Sequence, residues 1–109
     1  MSDRIAKLRA LNDELRNNLT VGHAFITPGV TALGPEAVSR IVQTIAVYDA
    51  FCEANDPYGE HDFGSFEAEG ETIFFKIDYY DQAMEFHSPD PADPEVTHRL
   101  ITVMLAEEY

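Results

Sequence analysis

The sequence predicts an α+β fold, with an antiparallel sheet of about four strands and helices from both ends of the chain packed on one face. Three observations carry this expectation. Apolar residues recur at helical spacing near both ends, and a Glu69-Gly70 step joins two aromatic, β-branched runs. The elements also follow one another in the order α-β-α-β-β-β-α. A length of 109 residues fits a single domain spanning residues 1–109, and twelve aromatic residues (seven Phe, five Tyr) give it material for a core.

Ser2 is placed to cap a helix running to about Asn17, with Asp3 in its first turn and Arg16 in its last, matching the helix dipole. Ile5, Leu8, Leu11, Leu15 and Leu19 form its apolar stripe. Residues 20–27 read as a strand closed by the Pro28-Gly29 turn. Pro35 starts a second helix, which is expected to give way near Gln43 to a strand-like run over 44–51. Residues 53–61 form a loop broken by Asn-Asp-Pro and Gly59. Strands at about 61–68 and 71–80 make a hairpin, and 82–93 are irregular. Asp93 and Pro94 then open a last helix to about Glu108, with Val96, Leu100, Ile101, Met104 and Leu105 as its buried stripe.

Charge is the unusual quantity. Twenty Asp and Glu against seven Lys and Arg give a net charge of −13, and residues 49–95 hold fourteen of the acids with Lys76 as their one base. This balance excludes direct binding to a phosphate backbone or an anionic membrane surface, where Lys and Arg supply the affinity. It favours a basic protein surface, including that of a nucleic-acid-binding protein. The interaction residues this nominates are Asp56, Glu60, Asp62, Glu67, Glu69, Glu71 and Asp81. Cys52 is the single cysteine, so no intrachain disulfide or cysteine-based zinc site is available. With no apolar leader or membrane-length run, a cytoplasmic location is expected. No metal or cofactor motif occurs: Asp56, Glu60 and Asp62 lack the pattern of a calcium loop.

A two-residue turn at Glu69-Gly70 sets Ala68 opposite Glu71 and, by extension, Phe63 opposite Lys76 and His61 opposite Asp78. That register predicts a His61/Asp78 pair on one sheet face, with Lys76, Tyr80 and Ser65 nearby. A carboxylate-oriented imidazole with these neighbours is the alternative, enzymatic reading, a small hydrolase with Glu60 as a further acid. The bland counterpart is an exposed ion pair.

The blocks NDPYGEHDFG (55–64), KIDYYD (76–81) and SPDPADPE (88–95), with ITPGVTALG (26–34) and TVMLAEEY (102–109), resemble a domain-of-unknown-function family of small bacterial proteins often carried on plasmids and integrative elements. The resemblance covers nearly the whole chain and implies importance for Asn55, Asp56, Gly59, Glu60, His61, Asp62, Lys76, Asp78, Tyr79, Tyr80 and Asp81. It implies no activity. Three readings are open: an acidic interaction protein, including a mimic of nucleic acid that inhibits a defence protein; the small hydrolase; and a structural or regulatory subunit without chemistry. Charge reversal at Glu67, Glu69 and Glu71 would separate them.

Overall fold

A computed structural model describes residues 2–20 and 22–109. It is α+β, with a four-stranded sheet in the order β1-β4-β3-β2 and a helical layer on one face. The elements are α1 (Asp3–Asn17), β1 (Ala24–Ile26), α2 (Pro28–Thr31), α3 (Pro35–Val47), β2 (Phe63–Ala68), β3 (Glu71–Tyr80) and β4 (His98–Leu105), closed by a 3₁₀ turn at Ala106–Glu108.

α1 matches its expected span, and the Ser2 hydroxyl accepts from the Ile5 N–H at 3.2 Å. The hairpin has the expected register, from Ala68 opposite Glu71 to Phe63 opposite Lys76. Its turn holds Glu69 at φ 56° and Gly70 at φ 77°, a pair of left-handed residues that suits the twist of the strands.

Four expectations are corrected. The helix over 94–108 is instead β4, which lies between β1 and β3. Ile101, Val103 and Leu105 face the helices while Met104, on the opposite face, is also buried, so apolar residues on both faces imitated a helical stripe. The sheet is mixed: β3 pairs antiparallel with β2 and β4, but β1 runs parallel to β4. No strand forms over 44–51; α3 continues to Val47, because Ile41 and Ile45 stay one turn apart against the core. The strand at 20–27 shrinks to Ala24–Ile26, with Gly22 and His23 in a turn and Val21 outside the described residues.

Leu8, Ile41, Ile45 and Val30 pack from the helices onto Ile73, Phe75, Ile77, Ile101 and Val103 of the sheet. Gly64 permits the close approach of Phe75 and Tyr48, whose rings occupy the space a Cβ would fill. The Glu108 carboxylate ties the chain end back, accepting from Thr27 Oγ1 (2.6 Å), Leu105 N (2.8 Å) and Gly29 N (3.1 Å). These bonds hold its carboxyl below the usual range. They also set Tyr109 over the outer sheet face, edge-on to Phe74 and Phe63.

Candidate functional site at the 55–62 loop

The loop between α3 and β2 is pinned from within. Asn55 donates to the Ala50 carbonyl and accepts from Cys52 N. Asp56 is buried, and its Oδ1 accepts from the N–H groups of Glu60 (2.9 Å) and His61 (3.1 Å), closing a tight turn. Gly59, at φ +72°, offers its carbonyl to Arg9 Nε at 2.6 Å; a side chain there would strike the Arg9 guanidinium.

α1 supplies the other half of this anchorage. Arg9, Asn12, Asp13 and Arg16 stand at positions i, i+3, i+4 and i+7, on one helical face. Asn12 is fully buried: its Nδ2 donates to the Glu60 carbonyl (3.0 Å) and the Tyr79 hydroxyl (2.8 Å), and its Oδ1 accepts from Arg99 Nε (2.9 Å). Tyr79 in turn donates to Glu60 Oε1 at 2.8 Å. Burial, more than the neighbouring acids, raises the Tyr79 phenol far above its ordinary value, so it stays a donor. Arg16 donates to the Ile45 and Tyr48 carbonyls and to Asp13, with its guanidinium over the Phe51 ring. The apolar stripe drew attention away from this polar face of α1. Its signal is the i, i+3, i+4, i+7 recurrence of four polar residues.

His61 and Asp78 do not meet. The Asp62 carbonyl accepts from Ile77 N at 2.8 Å, the last hairpin bond, and His61 then takes φ 59° and turns off the sheet. Its Nδ1 lies 2.9 Å from Asp13 Oδ1, and its ring stacks on Phe51 at 3.9 Å. Asp78 pairs with Lys76 on its own strand at 3.2 Å, and the two sit on the outer face with Tyr80 and the exposed Ser65. The expected constellation of His61, Asp78, Lys76, Tyr80 and Ser65 is therefore split between two faces of the sheet.

The acids are also divided. Asp56 and Glu60 are spent on the loop, and Asp81 caps its own turn through Glu85 N and Phe86 N. At the hairpin tip Glu67 bonds Thr72 on the outer face, and Glu69 turns to Arg40 of α3 at 2.5 Å, which holds its carboxyl below the usual range. Glu71, opposite Ala68, falls by alternation on the helix side.

What remains is a cleft at the sheet edge, lined by Asn55, Tyr58, Asp62, Phe63, Lys76, Asp78 and Tyr109. Tyr58 and Tyr109 are about three-quarters exposed (75% and 74%), so both rings are open to a ligand. Asp62 is half-buried there, and its carboxyl is pushed up to about 6, first by burial and then by Glu60, Asp56 and Asp78. Among the described residues no Lys, Arg or His lies within ion-pair distance of it. Lys76 bonds Asp78 with its ammonium 5.9 Å from the Tyr109 ring centroid, so the cleft already holds one cation between carboxylate and aromatic face. Among the described residues no cluster of His, Cys, Asp and Glu could hold a metal ion, and no helix is long and apolar enough to cross a membrane.

Comparison with protein families matches residues 26–108 to the family described as a protein of unknown function, DUF3768. Neither the curated proteins nor the solved structures yield a match. The matched range holds the 55–62 loop and the cleft residues except Tyr109, while Arg9, Asn12, Asp13 and Arg16 precede it.

Proposed function

The chain belongs to the DUF3768 family, and starting from that membership and the edge cleft we propose that it is an acidic interaction protein whose cleft receives a basic side chain of a partner protein. The observation that carries the reading is Asp62: a half-buried carboxylate with no cation within ion-pair distance among the described residues, in a cleft with two exposed tyrosine rings. A guanidinium or ammonium entering there would meet a carboxylate and two π faces, the chemistry that Lys76 already satisfies with Asp78 and Tyr109.

The surface charge supports the same reading. Arg4, Arg40 and Lys76 are paired with Asp90, Glu69 and Asp78, and Arg9, Arg16 and Arg99 are bonded within the fold. Of the seven Lys and Arg, the exposed Lys7 is the one without such a partner among the described residues. The exposed acids Glu53, Glu67, Glu85 and Glu95 then dominate the outward field, which speeds encounter with a cationic surface and weakens as salt rises. A partner whose basic site ordinarily holds phosphate meets these requirements, and the protein then acts as a charge mimic of nucleic acid. The hydrolase reading has no comparable support, since His61 lies apart from Asp78, Lys76 and Tyr80.

The test is a titration of the whole chain with an arginine-rich peptide and with the same peptide carrying citrulline. The arginine peptide should bind with an affinity that falls on adding salt, and Asp62→Asn should weaken it by about tenfold, the loss of one partly desolvated charge-assisted bond. Equal binding of the citrulline peptide, or an unaltered affinity in Asp62→Asn, would overturn the proposal.

A further inference from the structure

A second cleft, of about 270 Å³, opens between α1 and the segment leading into β4. Leu11, Leu15 and Pro94 form its apolar wall, Arg99, His23 and Thr97 contribute polar groups, and Glu14 adds a carboxylate to the lining. It shares no residue with the edge cleft.

Arg99 is the unusual member. It is 7% exposed, yet among the described residues no carboxylate lies within ion-pair distance of it. Its Nε donates to Asn12 Oδ1 and its Nη2 to the Pro91 carbonyl, both neutral acceptors. The guanidinium carbon lies 5.3 Å from the Tyr79 ring centroid. Nη1 has no hydrogen-bond partner among the described residues. A cation removed from water without a paired counter-charge is strongly disfavoured, and neutral acceptors and one aromatic face offset this only in part. Burial accordingly pulls the Arg99 guanidinium below its ordinary value.

The rest of the cleft is shaped by the same strand. His23 Nδ1 donates to the Arg99 carbonyl at 2.9 Å, which leaves Nε2 without a protein partner among the described residues. The imidazole stacks on His98 at 4.3 Å, so its orientation is fixed from both sides.

We propose that this cleft binds a small organic carboxylate, its anionic group on Arg99 and its apolar body against Leu11, Leu15 and Pro94. At Nη1 the ligand carboxylate supplies a counter-charge within ion-pair distance, which Glu14 of the same lining does not. The inference is independent of the edge cleft, whose chemistry has the opposite sign.

Titration of the ¹⁵N-labelled chain with 4-methylpentanoate tests it, with 4-methylpentanamide as the uncharged counterpart of the same shape. Amide signals of Leu15, Thr97 and Arg99 should shift with a dissociation constant on the order of 1 mM, and the amide compound should bind about tenfold more weakly. Leu11→Trp, which fills the cleft and leaves the bonds of Arg99 in place, should abolish both sets of shifts. Arg99→Gln should erase the preference for the acid. Absence of shifts with the carboxylate, equal affinity for the two compounds, or shifts that survive Leu11→Trp would each overturn the proposal.

Discussion

Asp62→Asn should stabilise the fold near neutral pH and leave it almost unchanged in mild acid. In the folded chain the Asp62 carboxyl is raised from 3.8 to about 6, chiefly by burial. The folded form therefore holds this proton more tightly than the unfolded chain, and the protonated state favours folding. That contribution is complete below the unfolded value and lost as pH rises through about 6. A gap of about two pH units corresponds to about 3 kcal/mol at roughly 1.4 kcal/mol per unit. The side chain is only half-buried, so solvent screening reduces the expected effect to about 1–1.5 kcal/mol. Asparagine keeps the shape and cannot ionise. Urea denaturation of both proteins at about pH 4.5 and about pH 7.5 isolates the term, because the other carboxylates titrate alike in both and cancel. The variant should be the more stable at the higher pH by that amount, with a much smaller difference at the lower. A variant less stable at neutral pH, or a difference independent of pH, would refute the reasoning. The same sign bears on function: a partner's cation at Asp62 would relieve this penalty, so binding should strengthen as pH rises through about 6.

Two further outcomes follow from the packing. Asn12→Ala removes the group that joins Arg99, Tyr79 and the Glu60 carbonyl, and should destabilise the fold by about 2–4 kcal/mol, read as a lower urea midpoint at unchanged slope; a loss within experimental error would show that water replaces it. Gly64→Ala places a methyl group against the Phe75 and Tyr48 rings, and should lower stability by about 1–3 kcal/mol in the same assay.

Much of the fold was legible because local chemistry decided it. Ser2 capped α1, and Glu69-Gly70 set both the turn and the register, down to Phe63 opposite Lys76. The misread segments are those where tertiary context decided. Val96, Leu100, Ile101, Met104 and Leu105 fit a helical stripe, but a central strand apolar on both faces yields the same spacing. Parallel pairing of β1 with β4 leaves no local trace, since the partners are more than seventy residues apart. At the site, the residues were found and their arrangement was not. The register extrapolates to His61 opposite Asp78, but a single left-handed residue at His61 ends it, driven by the Asp56 and Asp13 bonds. Those partners lie on a loop and a distant helix, beyond the reach of pattern. Arg99 was hidden for the same reason, inside a segment read as helix.

The position of β4 has a consequence for how the molecule assembles. The β2–β3 hairpin needs only neighbouring residues and is free to close early, but both of the remaining sheet pairings require residues 98–105. Until that stretch arrives, β1 has no strand beside it, the apolar faces of α1 and α3 have half a sheet to cover, and Asn12 lacks the Arg99 donor. During synthesis the chain therefore carries exposed apolar surface and an open strand edge on β3 until late, and adds the strand that closes both in one step. Folding of this domain should be slow for its size, and all-or-none.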